Sequence, residues 1–268
     1  MGLRASKLNT ALHRAHGEDT ESTEKTRDYT TSAARAQFSK EPQHAVQSGS
    51  VTLMQHANSH NIRALILDFG GVLVTMPHDS PSARRLAAQL GVAPGQLMAE
   101  LLGSDDWDRA LLGEISAEEY DRRLHQRFGL VYDDRQPSLI FRWFADETLS
   151  HELLELASSL RRPPDFQVAV LSNASTDLEQ QILSEKLGIL HRFDLVINSA
   201  REGVKKPDPA IYHLALERLG VAPHEAIFVD DMPVNVAAAA GLGIHAIHFQ
   251  NQSQAVAAIR SALGISAS

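Results

Sequence analysis

The chain of 268 residues contains no cysteine. That removes disulfides, thiolate metal ligands and a cysteine nucleophile together, and it makes a cytoplasmic setting the simpler expectation. Long apolar runs are also missing. None reaches the roughly 18 uninterrupted apolar residues at which a membrane span begins, and the apolar stretch 234–247 is broken by Asn235, Gly241, Gly243 and His245. Basic residues are in deficit, with 25 Lys and Arg against 33 Asp and Glu, so the formal net charge is −8. That balance argues against a general nucleic-acid binder. What is present is a 43% hydrophobic content, enough to bury a substantial core in one large domain or two small ones.

Residues 1–60 differ from the rest. They are rich in Ser, Thr, Gln, His and charge, hold few large apolar residues and show no sustained period. This stretch reads as a disordered or loosely helical extension. Arg4, Lys7 and Arg14 without an acid among the first 17 residues faintly resemble a transit peptide. Met1-Gly2-Leu3-Arg4-Ala5-Ser6 also fits the N-myristoylation pattern. Both patterns are short, and a plain tail is the simpler expectation.

From Ile62 onward, short apolar strands alternate with helical stretches. Strands are expected at 63–67, 167–171, 194–198, 226–229 and 244–248, and helices at 178–187, 210–219, 235–240 and 254–263. Such alternation implies an α/β fold with a parallel sheet covered by helices on both faces. The segment between the first two strands is too long for a simple crossover. Its apolar periods predict helices over 82–90, 95–102, 106–112, 117–128, 139–144 and 149–160. Ser116 with Glu119 makes a capping box, and Gly91 and Gly129 suit helix ends. The domains expected are a core of 61–77 and 164–268 and an inserted helical cap of 78–163, placed where it could cover the sheet edge and exclude water.

Chemistry-bearing residues fall just after the strands. Ala64 to Leu67 suits a strand buried on both faces, ending in Asp68, Phe69, Gly70 and Gly71. The glycines allow a sharp turn and a close ligand approach, and strand C-termini are where open α/β sheets bind ligands. Asp also suits turns, so this segment alone is ambiguous. After the second strand come Ser172 and Asn173, suited to anionic oxygens at a helix start or simply to a turn. After the third come Lys205 and Lys206 before Pro207, either a fixed phosphate-neutralising lysine or an ordinary exposed pair. After the fourth come Asp230 and Asp231, whose mutual repulsion a bound cation would relieve. Oxygen-only ligands suit Mg²⁺.

In order, spacing and strand context, these segments resemble the haloacid dehalogenase superfamily, in the branch with a helical cap after the first strand. The resemblance covers Ile62 to Leu263. It implies a Rossmann-like sheet of order 3-2-1-4-5 and an inserted cap. It implies that Asp68 is a nucleophile forming an aspartyl-phosphate, that Ser172 binds the transferring phosphoryl group, and that Lys206, rather than Lys205, steadies both. Asn173 and Gly71 are expected beside the phosphate. Asp68, the Gly70 carbonyl, Asp231 and Asp230 are expected to hold Mg²⁺, with Asn235 supporting them. The activity implied is a Mg²⁺-dependent phosphatase of a small phosphorylated metabolite. A C–X hydrolase or a non-catalytic binding protein of the same fold are the alternatives.

One departure stands out. Phosphatases of this family usually carry a second aspartate two residues after the nucleophile, and here that position is Gly70. General acid–base catalysis is worth roughly 10²–10⁴ in rate. His78, Asp79, Asp105 and Asp108 are the candidate substitutes. Trp107 and Trp143 are expected to pack in the cap or face substrate. The 13 histidines show no ligand-like cluster; His245 and His248 fall on opposite faces of a strand, so no His metal site is expected.

Overall fold

The computed structural model describes residues 61–75 and 80–265. The extension expected at 1–60, its two targeting patterns, and His78 and Asp79 lie outside the described residues. The chain enters through β1 (Ala64–Leu67) and β2 (Val74–Thr75). It then forms α1 (Pro81–Leu90), α2 (Leu97–Leu102), α3 (Asp105–Leu111), α4 (Ala117–Arg127) and α5 (Leu139–Trp143). It returns through β3 (Thr148–Leu149) to α6 (His151–Leu160) and β4 (Gln167–Ser172). A π-helical segment, Leu178–Lys186, precedes β5 (Leu195–Asn198) and α7 (Ser199–Glu202). Then follow α8 (Pro209–Leu219), β6 (Ala226–Asp230), α9 (Pro233–Gly241), β7 (His245–His248) and α10 (Gln252–Ala262).

Five strands form a sheet in the order β5-β4-β1-β6-β7, and every pairing is parallel. Without the two short strands of the separate β2–β3 ribbon, that is the 3-2-1-4-5 order. β1 lies at the centre and is buried on both faces. Its alternation divides the core. Leu65 and Leu67 pack with α6 and α10, whereas Ala64 and Ile66 pack with α8 and α9. Ile211, Tyr212, Ala215, Leu216 and Leu219 of α8 supply that second layer. The result is a three-layer sandwich.

The cap hangs on the β2–β3 ribbon. Val74 pairs with Leu149 and Thr75 with Thr148. The Ser150 backbone N–H donates to the Leu73 carbonyl at 2.9 Å and its hydroxyl to the Val72 carbonyl at 2.6 Å. This pairing shortens the helix expected over 149–160, which begins only at His151. Its apolar face, including Leu153, Leu154 and Leu160, belongs to the core cluster. The expected cap segment 78–163 therefore takes in a helix that packs with the core. The cap's own cluster gathers α1 to α5 around Leu86, Leu97, Leu101, Tyr120, Leu124 and Leu139.

Four cap helices begin on serine. Ser80, Ser104, Ser116 and Ser138 each accept a backbone N–H from three residues on, and each such cap is worth about 1 kcal/mol. At Ser116 only this half of the expected box is found, because the Glu119 carboxylate is engaged by Arg122 and Arg123. Gly91 at φ 70° and Gly129 at φ 65° take the left-handed conformation at their helix ends, as expected. The helix expected at 178–187 is π-helical, with i→i+5 bonds such as Ile182 N–H to the Asp177 carbonyl.

Candidate active site

The parallel sheet places the C-terminal ends of β1, β4 and β6 side by side. Asp68 follows β1, Ser172 closes β4, and Asp230 closes β6 with Asp231 after it. Lys206 comes from the loop after α7. Its Nζ lies 2.8 Å from Asp68 Oδ1 and 2.7 Å from Asp230 Oδ2, and donates to the Leu171 carbonyl at 2.9 Å. All three ammonium protons are thereby matched. Lys206 is 3% exposed and Asp230 fully buried.

Asp230 is the anchor of this arrangement. Besides Lys206, it accepts from the Met232 backbone N–H at 2.8 Å and from Asn235 Nδ2 at 3.0 and 3.2 Å. Asn235 thus supports Asp230 directly. Asp231 is more open, and its backbone carbonyl meets His248 Nε2 at 3.0 Å. Carboxylate oxygens of Asp68, Asp230 and Asp231 all lie within 4.8 Å of one another. One ammonium cannot neutralise three carboxylates, and uncompensated buried charge is costly. The donor set is therefore short of positive charge and made of hard oxygens, and a divalent cation fits it.

The electrostatics reflect that shortage. Burial pushes the Asp68 carboxyl up to about 7; Lys206 opposes the rise and Asp230 adds to it. Burial acts against the charge on Lys206, but Asp68 and Asp230 together hold its ammonium above the usual lysine range. Burial, and then the Asp230 charge, also raises Asp231.

The glycine turn does more than reverse the chain. Gly71, at φ +83°, sits against Asp231. A Cβ there would lie 2.3 Å from Asp231 Oδ2 and 2.5 Å from its Cγ. Its bare backbone makes room for the carboxylate, in addition to a turn that L side chains rarely adopt. Asn173 holds a neighbour as well. Its Nδ2 donates to the Lys206 carbonyl at 2.9 Å and its Oδ1 accepts the Lys206 backbone N–H at 2.8 Å. The side chain clamps the lysine's backbone while lining the same cavity as Ser172.

Gly70 and Ser172 open into a cavity of about 140 Å³ between core and cap. Trp107, Ile140, Phe141 and Phe144 form its cap side, and Phe69 and Leu178 belong to its core side. The two tryptophans divide: Trp107 lines the cavity, and Trp143 is 4% exposed within the cap cluster. Asp105 and Asp108 do not line it. Asp108 pairs instead with Lys205, tying cap to core. Nor do the adjacent lysines share a role. Lys186 and Glu147 escaped the sequence reading. They line the cavity and pair at 2.6 Å, although 39 positions of sequence separate them and no short motif links them.

A model of the haloacid dehalogenase-like hydrolases matches residues 62–243, and the chain belongs to that family. Among curated relatives, it is 33% identical over 218 residues to mouse (Mus musculus) acyl-CoA dehydrogenase family member 10, covering 78% of this chain and 20% of that protein. This chain therefore spans only a fifth of that relative. It is 26% identical to the sesquiterpene phosphatase astK of Aspergillus oryzae, over 75% of this chain and 97% of the relative. Among solved structures, a predicted HAD-like family hydrolase from Porphyromonas gingivalis aligns with a TM-score of 0.60 at 26% identity, covering 74% and 97% of the two chains.

Proposed function

We propose that the chain is a Mg²⁺-dependent phosphatase of a small phosphorylated metabolite, acting through an aspartyl-phosphate on Asp68. The observation that carries this reading is the convergence of Asp68, Asp230, Asp231 and Lys206 at one sheet edge, beside a cavity large enough for a small organic group. The match over 75% of this chain to a sesquiterpene phosphatase supports phosphate monoester chemistry.

Asp68, Asp231 and the Gly70 carbonyl would hold the cation, with Asp230 behind them. Bound there, it supplies positive charge against the phosphate oxygens. The Asp68 carboxylate attacks phosphorus, the ester P–O bond breaks, and the alcohol leaves. Lys206 keeps Asp68 in place and offsets charge on the transferring group. Ser172 donates its hydroxyl to a phosphoryl oxygen. Water then attacks the aspartyl-phosphate, releasing inorganic phosphate and restoring the carboxylate. With Gly70 where an acid is expected, the leaving oxygen takes its proton from water.

The test is phosphate release from p-nitrophenyl phosphate. Turnover should require Mg²⁺ and should fall at least about 10⁴-fold in Asp68→Asn, the scale on which removing a covalent nucleophile acts. No release across a broad panel of phosphate esters would overturn the reading. Gly70 favours a second reading, a protein that binds phosphate ligands without turnover. Binding of a beryllofluoride phosphate mimic with no hydrolysis would select it.

A further inference from the structure

We infer that the cavity beside Gly70 takes the apolar body of a phosphate monoester about the size of a six-membered ring, and not a sugar. This deepens the phosphatase reading and rests on it. The cavity measures about 140 Å³, and an apolar cavity of roughly 150 Å³ admits a benzene-sized molecule. The walls argue in the same direction. Phe69, Ile140, Phe141, Phe144 and Leu178 offer a hydroxyl no side-chain partner, and Trp107 offers only its indole N–H; a buried hydroxyl without a partner is disfavoured.

Most polar groups around the cavity hold partners within the protein; Glu147 Oε1 has the ion pair with Lys186 but no hydrogen bond. Asn173 holds the Lys206 backbone on both sides of its amide. The Ser175 hydroxyl donates to Asp177 Oδ1 at 2.6 Å. Glu147 is almost wholly buried against Lys186, whose ammonium also donates to the Phe144 carbonyl at 3.1 Å and sits 4.4 Å above the Phe141 ring. These internal partners leave the polar end of the cavity to Ser172 and the Asp68 turn. A ligand with one anionic end and a plain hydrocarbon body matches that division. A polyol would have to share the few polar groups that these internal pairs already hold.

The test compares two esters with the same frame and the same kind of alkoxide leaving group: cyclohexylmethyl phosphate and glucose 6-phosphate. We expect kcat/KM for the former to exceed that for the latter by about 100-fold, within the range over which apolar pockets discriminate. Where turnover is slow, each is measured as a competitive inhibitor of p-nitrophenyl phosphate hydrolysis, with the same ranking expected in Ki. Ile140→Asn should reduce the preference at least about tenfold. Equal or better use of glucose 6-phosphate would overturn the inference and leave the phosphatase reading standing. Loss of all three reactions would sink the phosphatase reading instead.

Discussion

The two sides of the cleft hold their shape by opposite means. On the core side, charged groups are packed until every ammonium proton of Lys206 has an oxygen partner. On the cap side, a few ångströms of aromatic and aliphatic surface meet the same space. The core side is stiff because each partner is buried and its loss strands a charge. The cap side is tied down by the largely buried Lys186–Glu147 pair, by the more exposed pair of Lys205 with Asp108, and by the close approach of Gly113 to the Ala200 carbonyl. The cleft thus has a charged floor fixed in the sheet and an apolar wall supplied by the cap helices.

That contrast is open to test, beginning where the effect should be largest. Lys206→Met leaves Asp68 and Asp230 buried without their cation. It should lower unfolding stability by about 3–5 kcal/mol, measured by urea denaturation without Mg²⁺, and abolish turnover. A loss under about 1 kcal/mol would mean that the core cluster is not held by this pair. Next is Gly71→Ala, which drives a methyl into Asp231. Displacing a ligand's supporting contact weakens metal binding by roughly 10–100-fold, so Mg²⁺ titration by calorimetry should show that loss.

A third effect is smaller and depends on pH. The folded Asp68 carboxyl is pushed up to about 7, above its unfolded value near 3.9. Its contribution to stability is then fully present below the unfolded value and is lost as pH rises through about 7. Mg²⁺ competes with that proton and restores balance to the charged cluster. The melting temperature gained on adding Mg²⁺ should therefore be larger at pH 8 than at pH 5.5. A gain that is flat with pH would break the link between the cation and Asp68. The smallest effect belongs to the cap. Lys205→Ala removes a partly exposed pair worth at most about 1 kcal/mol, so unfolding should hardly change. A stability loss as large as that of Lys206→Met would erase the contrast between the two sides.

Much of the core side was legible in advance. Asp68, Lys206, Asp230 and Asp231 each follow a strand whose apolar run marks it plainly, and parallel strands bring their C-terminal ends to one edge. The roles of Asn173 and Gly71 were not legible. Each acts on a neighbour supplied by a distant segment: Asn173 on the backbone at Lys206, Gly71 on the carboxylate of Asp231. The end of the cap was misplaced for a related reason. Residues 151–160 carry a helical period whichever domain they pack against, and only their contact with the sheet and α10 assigns them to the core.

The amino-acid sequence by itself determined the alternation of strands and helices, the serine starts of the cap helices and the acids and lysine at the strand ends. All of these depend on local pattern, which acts over a few residues. Only the tertiary structure decided which lysine meets which acid, how little room Gly71 leaves beside Asp231, and that the space above Ser172 is walled by aromatics from the cap. Those are contacts between segments far apart in the chain, fixed when hydrophobic burial brings the two layers and the cap together, and no local pattern encodes their distances.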